Sequence, residues 1–272
     1  MNVLSAEKQL SVLSALVEGC SIRSTSRMTG VHKTTILKAL VDVGTRCATL
    51  LDEQIRGLTC RFIECDEIWT FVAKKERRLT YEDRMVRPDY GDQYTFVAFD
   101  PQTKLVPNFV VGKRDRNTTL QFIRDLRSRV QGRIQISTDG FTPYVDAIER
   151  AFGMDADYAQ LIKIYQAGEP GMGRYSPPHV TGTTLKFIAG APDPSRICTS
   201  YVERNNLTIR MQLRRFTRLT NAFSKKLENL RAALALHFWH YNFCRIHSSI
   251  RVTPAMEAGL TNRLFILEEL IK

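Results

Sequence analysis

The sequence predicts an α/β fold, a mixed five-stranded sheet flanked by helices, with a small N-terminal all-α helix-turn-helix unit ahead of it. Three observations carry that expectation. Residues 61–73 place apolar side chains at both parities, Phe62, Ile68 and Val72 on one face and Ile63, Trp69 and Phe71 on the other, as a strand covered on both sides requires. Two amphipathic helical stripes then alternate with two short apolar runs, the strand–helix–strand rhythm of an α/β layout. Ahead of all these, residues 5–43 carry three runs of helical spacing.

In order, Ser5 caps a first helix whose stripe is Leu10, Leu13, Leu16 and Val17. Ser21 caps a second that reaches Met28, Gly30 supplies a turn, and a third runs from Lys33 to Val43 over Ile36, Leu37, Leu40 and Val41. This pattern reads as a helix-turn-helix that offers Lys33, Thr34, Thr35 and Lys38 to a DNA groove, with a plain trihelical packing unit as the alternative. Residues 50–59 read as a connector. After the first strand, residues 74–92 read as a polar loop, and 94–100 with 105–112 as a hairpin. Pro107 confines the second of these strands to an edge or a bulge. Asn117 caps a helix to Val130, residues 133–138 form a strand that delivers Asp139, Thr142-Pro143 opens another helix, and 158–165 forms the fifth strand. The Gly- and Pro-rich stretch that follows reads as an irregular insertion spanning 167–198. Ser200 starts a further helix, a long apolar helix spans 222–243, and Thr253-Pro254 caps the last. The expected units are 1–56, 57–250 with the insertion, and a helical tail over 251–272.

At 272 residues the chain can bury a full core, and 43% hydrophobic with 25% charged residues is an ordinary globular composition. No apolar run approaches a membrane span and the first residues lack a signal-peptide plan, so a cytoplasmic protein with no membrane partner is expected. The net charge of +11 points to a polyanion. The charge is also clustered: Arg204, Arg210, Arg214, Arg215, Arg218, Lys225 and Lys226 come without an acid before Leu227. Exposed helices normally interleave signs, which favours a phosphate track over a solvated face. The six cysteines form no Cys-x-x-Cys pair and read as reduced thiols. His237 and His240 read as packing residues, and His247 as either a phosphate contact or a helix-terminus residue.

Three acids carry the chemistry. Asp66 rides the first strand, Asp139 ends the 133–138 strand, and Glu203 lies in the helix opened by Ser200. Converging in space, they would form an oxygen cage for two hard divalent cations and suit phosphoryl transfer on nucleic acid. Each has a duller reading: a buried structural carboxylate for Asp66, a turn for Asp139-Gly140, and a capping box for Ser200-x-x-Glu203. Glu64 shares the face of Asp66, whereas strand alternation points Glu67 away.

Cys65-Asp66-Glu67-Ile68-Trp69-Thr70-Phe71-Val72, Ser137-Thr138-Asp139-Gly140-Phe141 and Val202-Glu203-Arg204-Asn205-Asn206-Leu207-Thr208-Ile209-Arg210 resemble the active-site blocks of bacterial insertion-sequence transposases of the IS-one-type family. The resemblance spans roughly residues 60–245. It implies a ribonuclease H-like fold and an Asp66, Asp139 and Glu203 triad that binds Mg²⁺, with Mn²⁺ able to substitute. It further implies strand cleavage and transfer on double-stranded DNA, both element ends and target, by a homo-oligomer in a nucleoid-associated setting. Arg204, Arg210, Arg214, Arg215 and His247 are then expected on DNA. The cysteine zinc ribbon common at the start of family members is missing from this sequence. A non-catalytic DNA-binding protein or repressor on the same fold, and a nuclease without strand transfer, are the competing expectations.

Overall fold

The computed structural model describes residues 4–166, 179–217 and 220–271. Helices α1 (Ala6–Val17), α2 (Ile22–Thr29) and α3 (Lys33–Gln54) open the chain. Ser5 and Ser21 accept the amides of Lys8 and Ser24, and Gly30 ends α2 at φ 71°, where a residue with a Cβ would be strained. The third helix does not stop at Val43. It runs on to Gln54, through the stretch read as a connector, because Cys47 and Leu51 prolong its buried stripe.

Strand β1 (Phe62–Val72) is followed by α4 (Tyr81–Val86), a short helix inside the expected polar loop, held by a capping box between Thr80 and Asp83. Strands β2 (Gly91–Phe99) and β3 (Phe109–Gly112) make the antiparallel hairpin. Its second arm is shorter than predicted: Asp100 accepts the amide of Gln102 to fix the turn, and the ladder forms only beyond Pro107. Helix α5 (Arg116–Arg129) is capped by Asp115 rather than Asn117, and leads to β4 (Ile134–Thr138), α6 (Pro143–Phe152) and β5 (Ala156–Gln166). The expected insertion contains a sixth strand, β6 (His179–Ala189), paired antiparallel with β5; residues 167–178 of that insertion lie outside the described residues. Its β-branched run Thr181, Thr183 and Thr184 is the strand signal that the flanking Gly and Pro residues masked. Helices α7 (Ser200–Gln212), α8 (Leu227–Trp239) and the short α9 (Pro254–Glu257) complete the chain.

The six-stranded sheet has the order β3-β2-β1-β4-β5-β6. β1 pairs antiparallel with β2 and parallel with β4, and β4 parallel with β5, so the expected mixed α/β sheet is present with one strand more. Pro107 precedes an edge strand, as its missing N–H demands.

One continuous buried cluster runs from Leu13, Leu40 and Leu51 through Ile63 and Phe96 to Leu234 and Phe238, while Val12, Val31 and Ile36 form a satellite among the first helices. The opening helices therefore share the core of the sheet domain. α3 lies against α8 so closely that a Cβ on Gly44 would sit 2.5 Å from the Ala232 Cα. Backbone on this side cannot swing away as a flexible side chain can. Gly44→Ala is accordingly expected to cost about 2 kcal/mol or more despite its better helix propensity. Thermal denaturation checks this, and an unchanged or higher Tm would contradict the close approach. Among the described residues, no helix is long and apolar enough to cross a membrane.

Candidate active site

The parallel β1–β4 register pairs Cys65 with Thr138, so Asp66 and Asp139 are the next residues on two adjoining strands. β4 ends at Thr138, and the chain turns away through Gly140. β1 continues beyond that end to Val72, still paired with β2. Carboxylate oxygens of Asp66, Glu67 and Asp139 lie within 4.8 Å of one another, which corrects the reading of Glu67 as pointing away. Glu67 lies within the β1–β2 ladder, opposite Phe96, so alternation along a strand does not by itself keep its carboxylate away from that of Asp66. Arg114 ties two of these acids together, its Nε 3.1 Å from Glu67 and its Nη2 3.5 Å from Asp139. The amide of Phe141 donates to Asp139 Oδ1 at 2.9 Å, so the turn reading and the site reading of Asp139 hold together.

Glu203 lines the same cleft as Asp66 and Asp139, a space of about 490 Å³ that also includes Arg114, Lys163 and Thr199. Its carboxylate stands outside the three-acid group, paired with the Lys163 ammonium and accepting from Thr199 Oγ1 at 2.7 Å. The expected capping box is not formed. Thr199 is the cap residue of α7, and the acid at that helix start is Glu64, which accepts the amides of Tyr201 at 3.0 Å and Val202 at 2.9 Å. Glu64 is only 3% exposed. A buried carboxylate on β1 thus binds the positive end of the helix that carries Glu203. One turn into that helix, Asn206 Nδ2 donates to Asp66 Oδ2 at 2.8 Å. These three bonds lock strand and helix in register.

Burial is the main cause that pushes Asp66 up to about 7, with the charges of Glu67, Asp139 and Glu203 adding to it. Burial also raises Glu67, partly offset by Arg114. Glu64 is raised by burial too, although its two amide donors pull the other way. Four carboxylates, Asp66, Glu67, Asp139 and Glu203, stand here with Arg114 and Lys163 as the neighbouring cations. Hard oxygen donors fit Mg²⁺ or Mn²⁺, so the donor chemistry is compatible with the expected ion.

The remaining sequence-derived residues fall in three places. Lys33, Thr34, Thr35 and Lys38 are all exposed on the first turns of α3. Arg204 is exposed on α7, while Arg210 is half-buried and engaged within the protein. Arg214 is exposed, but Arg215 turns inward to donate to Ser224 Oγ at 2.8 Å, and burial draws its guanidinium down to about 10. Arg218 lies outside the described residues. His247 does not line the acidic cleft; its Nδ1 meets Ser249 Oγ at 3.0 Å within a turn. His237 is buried beside Phe238 and Tyr241, a packing residue that burial brings down to about 3.

Sequence reasoning set Glu64 and Glu67 aside and missed Arg114, Lys163 and Asn206. Asn206 was within reach, since a residue three positions after Glu203 shares its helix face. Arg114 and Lys163 lie on elements far from the acids in sequence and carry no local signal.

No protein-family model matches the chain, and no curated protein matches it. Among solved structures, the chain is similar to the Mos1 strand transfer complex, with 14% identity over 58% of this chain and 59% of that one, at a TM-score of 0.25. A Mos1 transposase paired-end complex with left transposon end gives 13% identity over 58% and 60%, at 0.24. The piggyBac transposase synaptic complex with hairpin DNA gives 10% identity over 98% and 68%, at 0.39. The chain thus spans about three fifths of the Mos1 chains it matches. Likeness at this level assigns no family, and the functional reading rests on the chain's own residues.

Proposed function

We propose that the chain is a DNA transposase of insertion-sequence type, in which Asp66, Asp139 and Glu203 of a ribonuclease H-like domain serve divalent-metal-dependent strand cleavage and transfer. The observation that supports it most is the meeting of Asp66, Glu67 and Asp139 oxygens within 4.8 Å, where β1 runs past the end of parallel β4. Asp66 and Asp139 would hold the cation, with Glu67 or Glu203 completing its oxygen shell. Bound there, Mg²⁺ would activate the attacking oxygen and stabilise charge on the leaving one. The chain's own groups orient these ligands: Asn206 fixes Asp66, Arg114 restrains Glu67 and Asp139, and Glu64 anchors the helix of Glu203. Lys33, Thr34, Thr35 and Lys38 would read element ends, and Arg204 and Arg214 would meet phosphates. Assembly as a homo-oligomer on DNA belongs to the same reading.

A second reading, a DNA-binding protein without turnover, draws on the ion pair of Lys163 with Glu203, which already occupies the third acid. Mobilisation of a marked plasmid carrying the gene's flanking DNA separates the two. Movement with the wild type and none with Asp139→Asn supports the transposase. DNA binding by both without movement, using complete flanks, supports the second reading.

Metal binding supplies a further check. Asp66 must lose its proton to bind a cation, and it sits at about 7 in the free protein. Mn²⁺ affinity measured by calorimetry is expected to rise about tenfold between pH 6 and 8, with proton release on binding. A flat profile would remove Asp66 from the ligand set.

A further inference from the structure

A larger cleft of about 970 Å³ lies away from the acids, between the start of α2 and α3 on one side and residues 213–215 and 220–225 on the other, with α8 beneath. Arg23 and Lys33 contribute from the first side, Arg214 and Lys225 from the second, and no carboxylate occurs among its described lining residues. All four cations are exposed. Arg215 also borders the cleft, and its Nη2 is buried with no partner among the described residues. A buried guanidinium without a counter-charge is costly, and an anion held in the adjoining cleft would relieve it through a low-dielectric wall.

We propose that this cleft grips the sugar–phosphate backbone of DNA, so that Arg23 and Lys33 of the first helices and Arg214 and Lys225 opposite hold the same stretch of strand from two sides. The proposal rests on the DNA-processing reading and extends it: Lys33 and Thr34 face this cleft together with Arg214, and a single backbone joins residues some 180 positions apart in sequence. Cations on both sides of the cleft and no acid among its described lining residues suit a polyanion. An isolated small phosphate would satisfy only one side.

Cys20 borders the same cleft and is partly exposed, which supplies a reporter in the native protein. The test combines alkylation of Cys20 by iodoacetamide, followed by peptide mass spectrometry, with duplex DNA titrated over a range of salt. Saturating DNA is expected to slow Cys20 alkylation several-fold, in the wild type and in Asp139→Asn alike. Arg214→Gln with Lys225→Gln, both exposed and so harmless to folding, is expected to reduce the salt slope of DNA binding by about two. If DNA binds, and is cut, while Cys20 stays open and the slope of the double variant is unchanged, the cleft proposal fails and the transposase reading survives. Loss of cutting in Asp139→Asn with Cys20 still protected supports both. Protection by duplex RNA but not by DNA, or no DNA binding at all, overturns the proposal.

Discussion

On the transposase reading, replacing Asp66 with Asn is expected to abolish strand cleavage and, in the same molecule, to raise the melting temperature of the metal-free protein. The first effect follows from removing a ligand charge shared by the three-acid group, a loss of roughly 10³ or more in rate. The second follows from linkage. Asp66 keeps its proton up to about 7 in the fold, whereas an unfolded aspartate releases it near ~3.9. Between those values the native state binds more protons, so metal-free stability declines as pH rises from about 4 to 7 and stays lowered above that. Asn carries no charge to bury, and its amide oxygen can still accept from Asn206. A gain on the order of 2 kcal/mol at pH 8, shrinking as the pH is lowered toward 4, is therefore expected in denaturant titrations. Saturating Mn²⁺ should reverse the ranking, since it binds the wild type. Equal stability at every pH would show that Asp66 is not strained by its neighbours.

At Glu64 the expected loss comes from removing the acceptor and not from the charge, which burial disfavours there as it does at Asp66. Glu64→Ala leaves the first amides of α7 without their acceptor and opens space beside the sheet. Losing two charge-assisted bonds at a buried helix start is expected to cost about 3 kcal/mol and to weaken metal binding as Glu203 drifts from Asp66. Glu64→Gln keeps an acceptor oxygen at the same place and should restore most of the stability. If Ala and Gln variants match the wild type in both melting and Mn²⁺ affinity, the acid does not anchor the helix. The two acids thus differ in what they hold, Glu64 the start of α7 and Asp66 the acidic site, while burial disfavours the charge of both.

The sheet was legible where burial on both faces left its mark, as in β1, and where a helix and a short apolar run alternated, as around β4 and β5. β6 was not, because flanking glycines and prolines outweighed a run of threonines. The end of α3 was missed because its continuation packs by small residues, Gly44 and Cys47, which give a faint periodic signal. Asp66 and Asp139 were read from apolar flanks and strand ends, and the structure brings them together. Glu67 was set aside by strand alternation, which ignores how far a long carboxylate side chain can reach. Capping of α7 by Glu64 joins residues 137 positions apart, and no local pattern announces it.

Helix α3 is one unbroken rod of 22 residues, about 33 Å long at ~1.5 Å per residue, pressed onto α8 at its middle. On the proposed reading its exposed end meets DNA while its flank is fused to the catalytic body. The rod then acts as a ruler. The spacing between the sequence recognised and the bond cut is stored as a fixed length and a fixed rotation, and a single inserted residue would turn the reading end by about 100°. Cut sites in such a system should be sharp to the base pair, and should shift in phase, rather than blur, when the rod is lengthened by a full turn.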